Sequence, residues 1–114
     1  MSAIQMVEFD IAVVPFPFTD RATTKRRPAL VLSSTTFNQG TGHAVMAMIT
    51  SAEQSTWPGD VPIADLDAAG LPGDCVIRLK LFTLDQRLIL KRVGRLAAGD
   101  RAQLADRWKP LLFG

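Results

Sequence analysis

No apolar stretch in this chain runs long. Proline, glycine and charged loops cut it into segments suited to short strands, until a helical period appears near residue 100. Asp10–Val14 is apolar and β-branched, and the Pro15-Phe16-Pro17-Phe18 run ends regular pairing because proline lacks an amide donor. Thr19–Arg27 is polar and charged and reads as a loop, followed by a strand over Pro28–Ser33 with proline at its tolerant first position. Asn38–Gly42 carries turn chemistry, and Ala44–Ile49 is a third strand. Beyond the polar loop Ser51–Gly59 come a brief strand at Asp60–Ala64 and a turn-rich connection at Ala68–Gly73. Strands follow at Cys75–Leu79 and Leu88–Val93, while Phe82–Arg87 fits a strand end or one helical turn equally well.

From Asp100 onward Leu104, Ala105, Trp108, Leu111 and Leu112 recur at helical spacing and form one apolar stripe. Gly99 and Asp100 supply a start, with the aspartate favourable at the positive end of the helix dipole, and Pro110 is expected to end or kink the helix near Trp108 or Lys109. A meander of short strands plus one amphipathic helix predicts a mainly β fold, a small barrel with a C-terminal helix packed on it. One domain over 1–114 is expected, since a chain of this length buries about two-thirds of its unfolded surface without staples.

Composition then removes several function classes. The single cysteine, Cys75, has no internal disulfide partner, and one Cys with one His cannot supply the four ligands of a structural zinc site, so no metal or cofactor is expected. No apolar run approaches a membrane span, and Met1–Glu8 lacks the basic-then-apolar layout of a signal peptide; a soluble cytoplasmic protein is expected. A net charge of +2 does not by itself predict a polyanion partner. Local clusters say more: Arg21, Lys25, Arg26 and Arg27 in one place, Lys91, Arg92 and Arg95 in another, although solvated surface charge explains such groups more often than a binding site does.

Several motifs in order resemble one family. Val14-Pro15-Phe16-Pro17-Phe18-Thr19-Asp20, then Lys25-Arg26-Arg27-Pro28-Ala29-Leu30-Val31-Leu32-Ser33, are similar to the start of the MazF/PemK toxins. The resemblance continues through Met48-Ile49-Thr50-Ser51, Asp60-Val61-Pro62-Ile63, Val76-Ile77-Arg78, Lys80-Leu81-Phe82-Thr83-Leu84-Asp85 and Arg92-Val93-Gly94-Arg95-Leu96, covering nearly the whole chain. It implies a small SH3-like barrel of the MazF/PemK/CcdB type, a homodimer, and metal-independent endoribonuclease activity on single-stranded mRNA at short motifs. It also implies a cognate antitoxin as partner, operator DNA bound by the toxin–antitoxin complex through that antitoxin, and no membrane association. Departures are visible. The family usually has Gly-Asp entering the first strand, where this chain has Phe9-Asp10; Leu79 and Lys80 stand where some relatives carry an acidic residue; and the only histidine, His43, is not in the first long loop.

An RNase without metal uses the substrate's 2′-hydroxyl as nucleophile, and needs a base, an acid and donors for the charge on the phosphate oxygens. Arg27, from the family's Arg-Pro pair, suits bidentate phosphate contact and is assigned mainly to electrostatic stabilisation. Thr50 corresponds to the family's catalytic hydroxyl, with Ser51 able to share the task; strand-end capping is the ordinary alternative for both. Arg78 matches a position that contacts RNA or catalyses in some relatives, and Lys80 shares its strand face. Lys25 and Arg26 are candidates for backbone phosphates, and Phe18 and Trp57 for base stacking. Phe16, Phe82 and Trp108 are expected in the core, His43 in a loop without a catalytic role, Cys75 buried, and Asp10, Asp20 and Asp85 in turns or caps. No general base stands out. Two other activities stay open: a CcdB-like gyrase poison without catalysis, and a degenerate barrel kept as an antitoxin-binding module.

Overall fold

The computed structural model of the chain describes residues 4–16, 25–53 and 56–114. These form strands β1 (Asp10–Phe16), β2 (Lys25–Val31), β3 (His43–Ser51), β4 (Val61–Pro62), β5 (Cys75–Asp85) and β6 (Lys91–Arg95). Helices α1 (Thr35–Thr41) and α2 (Leu66–Ala69) lie in the connections, and α3 (Ala98–Phe113) follows the last strand. All strand pairs are antiparallel, in the order β4-β5-β3-β2-β1-β6, and the sheet curls into a half-barrel. No helix among the described residues is long and apolar enough to cross a membrane.

Strand alternation sends side chains into two separate cores. Ile11, Leu30, Ala47, Ile49 and Ile77 point to one side, where Leu104 and Trp108 of α3 cover them. Ala12, Val14, Ala29, Val31, Ala44, Met46 and Leu84 point to the other, closed by Met6 and Ile89. Because both faces are buried, the central strands read as continuous apolar runs and not as alternating ones. The edges of the sheet are drawn together where α2 meets β6. A Cβ on Gly70 would lie 2.0 Å from the Val93 carbonyl oxygen, and one on Gly94 2.3 Å from the Ala69 carbonyl carbon, so only glycine permits this approach. Phe9 adopts φ 69, the left-handed region that favours glycine, while its ring packs against the α3-side core under the Arg101 guanidinium, 4.9 Å away.

Several local expectations are corrected. β2 begins at Lys25, so Arg27 lies in a strand and Pro28 inside it; the ladder to β3 starts only at Ala29↔Met48, just past the residue that lacks a donor. The expected turn at Asn38–Gly42 is most of helix α1, with the Ser34 hydroxyl accepting from the Phe37 amide at 3.2 Å and Gly42 ending it at φ 70. Part of the Ala68–Gly73 connection is helix α2. The open segment resolves as strand through Asp85 followed by a 3₁₀ turn, Gln86–Leu88, and β6 starts later than expected, at Lys91. Pro110 does not stop α3, because it sits in an exposed final turn where the carbonyl that loses its partner faces water. Of the expected stripe only Leu104 and Trp108 are buried; Ala105 between them faces away from the sheet, and Leu111 and Leu112 are exposed where the helix outruns it. Asp100 is buried, and its carboxylate accepts from the Ala64 and Asp65 amides at 2.9 and 3.0 Å, tying α3 to the chain between β4 and α2.

Candidate active site

β2 and β3 are hydrogen-bonded only from Ala29↔Met48 to Val31↔Met46. Beyond that point Lys25–Pro28 and Ile49–Ser51 run on without pairing to each other. On the far side of β3, β5 carries an irregularity: Ala47 pairs with Leu81 but Met48 with Arg78, so Leu79 and Lys80 bulge from the ladder. The splayed strands and the bulge together open a cleft of about 380 Å³. Its polar wall is Arg27, Thr50, Arg78 and Lys80, and its apolar wall is Phe16, Met48, Ile49, Leu81 and Phe82.

Arg78 is the most firmly held of these. Its Nε donates to Asp60 Oδ1 at 3.1 Å and its Nη2 to Oδ2 at 3.0 Å, with both side chains largely removed from solvent. The hydrogen bond to Asp60 pushes the Arg78 pKa above its ordinary value, against a smaller opposing effect of burial. Asp60 also fixes the turn before β4: its Oδ2 accepts from the Trp57 amide at 3.1 Å, and its own amide donates to the Trp57 carbonyl at 3.1 Å. The same turn is tied to α3 by Trp108, whose indole Nε1 donates to the Gly59 carbonyl at 2.7 Å. Half-exposed Trp57 thereby stands beside the cleft, its ring centroid 5.8 Å from Arg78 Cζ and 5.4 Å from Lys80 Nζ.

Arg27, Thr50, Arg78, Lys80 and Trp57 are therefore gathered from four segments of sequence. Ser51 is not on the cleft wall; it is exposed at the strand end, where its hydroxyl accepts from the Glu53 amide at 3.3 Å. Lys25 and Arg26 are exposed on β2. Phe18 and Asp20 lie outside the described residues. Phe16 and Phe82 are not core residues as expected: Phe16 is 37% exposed and Phe82 partly buried, and both border the cleft because the strands there have no facing layer. Cys75 is partly, not fully, buried; its thiol donates to the Gly73 carbonyl, and burial, with Asp74, pushes its pKa up. His43 sits at the opposite end of β3, its Nδ1 2.9 Å from the Thr41 carbonyl. Asp85 caps the 3₁₀ turn and Asp10 closes the Val7–Asp10 turn, as expected; Asp10 is also buried and pairs with Arg92 at 2.8 Å and Arg95 at 3.6 Å. The residue that sequence reasoning missed is Asp60, whose only signal was a place in the Asp60-Val61-Pro62-Ile63 motif.

Neither carboxylate nor imidazole lines the cleft among the described residues, and no group of three His, Cys, Asp or Glu side chains gathers among them. Three cations and one hydroxyl on an otherwise apolar wall make a site for an anion with an apolar or aromatic neighbour. Guanidinium and ammonium groups held in a partly desolvated wall also stabilise negative charge that develops during a reaction.

Comparison with solved structures establishes the fold. The MazE–MazF complex from Deinococcus radiodurans (Form-III) superposes with a TM-score of 0.74 at 24% identity, covering 95% of this chain and 96% of that one. An endoribonuclease in complex with its cognate antitoxin from a Mycobacterial species gives 0.73 at 14% identity, over 96% and 94% of the two chains. The Mycobacterium tuberculosis toxin MazF-mt6 gives 0.69 at 20% identity, over 86% and 90%. No curated protein matches. The sequence itself matches the family of PemK-like, MazF-like toxins of type II toxin–antitoxin systems over residues 8–112, a span running from the entry to β1 almost to the end of α3. With strands, helix and cleft all inside that span, the chain belongs to the PemK-like, MazF-like toxins of type II toxin–antitoxin systems.

Proposed function

We propose that this toxin is an endoribonuclease that cleaves single-stranded mRNA at short motifs without a metal, leaving a 2′,3′-cyclic phosphate and a 5′-hydroxyl. The observation that carries the reading is the convergence of Arg27, Thr50, Arg78 and Lys80 on one cleft. In this reaction the 2′-oxygen attacks the adjacent phosphorus, the bond to the 5′-oxygen breaks, and the proton lost at 2′ is balanced by one gained at 5′. Arg27, on a strand end with no neighbour on its β3 side, takes the non-bridging oxygens and stabilises their charge as the phosphorus becomes five-coordinate. The Thr50 hydroxyl accepts from the 2′-hydroxyl and donates to a phosphate oxygen. Arg78, oriented by Asp60, and Lys80 hold the neighbouring phosphate, and Trp57 stacks an unpaired base. Ser51, Lys25 and Arg26 act outside the reacting centre, on flanking nucleotides, and Phe18 is a further stacking candidate. DNA resists because it lacks the nucleophile.

The partner in this reading is a cognate antitoxin, supported by the antitoxin-bound Mycobacterial relative. The working form is a cytoplasmic homodimer of a single-domain chain, and operator DNA is contacted by the antitoxin, not by the cleft. The test is digestion of a long single-stranded RNA by purified, antitoxin-free protein in excess EDTA, beside Arg27→Ala, with every cut and its end groups mapped. Discrete cuts with cyclic phosphate ends in the wild type alone are expected. Ends carrying a 5′-phosphate, or cuts that persist in Arg27→Ala, would overturn the mechanism.

A further inference from the structure

A second cleft, of about 470 Å³, lies against β2 and shares Arg27 with the first. Its floor is apolar: Val13 of β1 with its cross-strand neighbour Pro28, and Leu90, whose amide donates to the Val13 carbonyl at 2.9 Å. Its rim is basic: Arg26 and Arg27 of β2 on one side and Lys91, the other cross-strand neighbour of Val13, on the opposite side. Since β2 and β6 flank β1, that rim spans about 10 Å, two strand spacings. No carboxylate lines this cleft among the described residues, and none of them pairs with Arg26, Arg27 or Lys91. The contrast within the Lys91–Arg95 cluster is direct. Arg92 and Arg95 are committed to buried Asp10, and Arg92 also reaches the Gln5 carbonyl, whereas Lys91 lines the cleft.

By strand alternation Arg26 and Arg27 leave opposite faces of β2, and Arg27 is a lining residue of both clefts. The path between them is open, because β2 has no β3 partner along Lys25–Pro28. We propose that the single-stranded RNA does not end at the reacting cleft but passes over this free edge of β2, its flanking nucleotides entering the second cleft. There Arg26 and Lys91 take backbone phosphates while Val13, Pro28 and Leu90 accept the apolar face of a base or ribose. Basic rims over an apolar floor are what a strand of unpaired nucleotides requires, and contacts to phosphate add affinity without reading sequence. This extension rests on the ribonuclease reading. It assigns Lys91 to RNA binding and makes the footprint longer than the cut motif.

The test uses an RNA oligonucleotide carrying a cut site mapped with the wild type, made uncleavable by a single 2′-deoxy substitution at the cut. Affinity is measured against salt for the wild type, Lys91→Gln and Arg26→Gln/Lys91→Gln, with melting midpoints checked. Each lost phosphate contact reduces the slope of log K against log salt by about 0.7. Slopes about 0.7 and about 1.4 shallower are therefore expected. Trimming flanking nucleotides from one end of the RNA should weaken the wild type and leave the double variant little further affected. A wild type that cuts RNA while the variants keep its slope overturns the extension but not the ribonuclease. A wild type that cuts no RNA overturns both. Unchanged slopes together with a dimer that the variants dissociate would assign the cleft to a second copy of the chain, again overturning the proposal.

Discussion

At the paired end of β2 and β3 every buried polar group finds its match, while at the splayed end cations outnumber carboxylates. Past Val31 and Met46, fully buried Asn38 donates through Nδ2 to the Met6 and Ser33 carbonyls and accepts from the Ser33 hydroxyl. Gln86 donates to the Asn38 carbonyl and accepts from the Met6 amide, and the Val45 amide donates to Ser33 Oγ. No buried side-chain nitrogen or oxygen among the described residues is left without a partner. Past Ala29 and Met48, by contrast, Arg27 and Lys80 line a cleft with no carboxylate on its wall among the described residues, and of its cations only Arg78 has an acidic partner among them, supplied from outside the cleft by Asp60. Polar groups that fix the fold are closed upon each other; those offered to a ligand are held in place and left incomplete.

Substitutions at the two ends of β2 and β3 should act on different properties. Arg27→Ala should have the largest effect, lowering RNA cleavage by about 100- to 1000-fold, as loss of one preorganised charge-stabilising donor does. Its unfolding free energy should stay within about 0.5 kcal/mol of wild type in urea denaturation, since the side chain is exposed. Asn38→Leu is the mirror case: about 2–3 kcal/mol of stability should be lost, because the Met6 carbonyl and Ser33 hydroxyl lose their partner in a buried site. Cleavage per folded molecule should hold; a fall in turnover as large as that of Arg27→Ala would mean the two ends are not independent.

Asp60→Asn sharpens the middle ground, where a carboxylate serves both. A roughly tenfold fall in cleavage is expected, together with altered Trp57 fluorescence, because Arg78 loses its counter-charge and the turn keeps only part of its hydrogen bonding. Unchanged kinetics would show that Arg78 does not act through Asp60. The smallest effect belongs to Asp85, partly exposed near the paired end, whose carboxyl the Arg87 hydrogen bond lowers from an ordinary 3.8 to about 2. A depressed folded-state pKa favours the folded protein when the group is ionised. Its contribution is therefore full above pH 3.8 and fades as pH falls through about 2. The melting-temperature gap between wild type and Asp85→Asn should be slight at pH 6 and smaller still near pH 2; a gap that does not shrink between them would assign it to the cap and not to the charge.

The strands of the core were legible because Ile11 to Val14, Ala29 to Val31 and Ala44 to Ile49 are apolar whichever face is considered. What escaped were segments whose conformation is set by a neighbour. Lys25-Arg26-Arg27 is strand because Phe16, Pro15 and Val14 stand opposite it, and no periodicity in charged residues announces that. Asn38 and Gly42 are turn formers taken singly, but the Ser34 cap and the buried amide network make the same residues a helix and its end. Of the site, Arg27, Thr50, Arg78 and Lys80, all carried by the family motifs, line one cleft, whereas Ser51 does not. Asp60 was invisible because its role depends on Arg78, eighteen positions away, which meets it only once β4 pairs with β5. Phe9 shows the reverse: the motif comparison marked it as the place where glycine is usual, and the backbone keeps the left-handed turn despite the larger residue.

The hydrogen bond from Trp108 to Gly59 has a consequence in time as well as in space. Its partners are 49 positions apart, and β1 cannot pair with β6 until Arg95 exists, so the fold is dominated by distant contacts and should form slowly. The ribosome delivers Trp108 after every other residue named in the cleft, so the turn that carries Trp57 gains its tie to α3 only once the helix has emerged and docked. In refolding, the Trp57 environment should accordingly mature in the same phase as the helical signal of α3, and a turn that matures earlier would uncouple the two events.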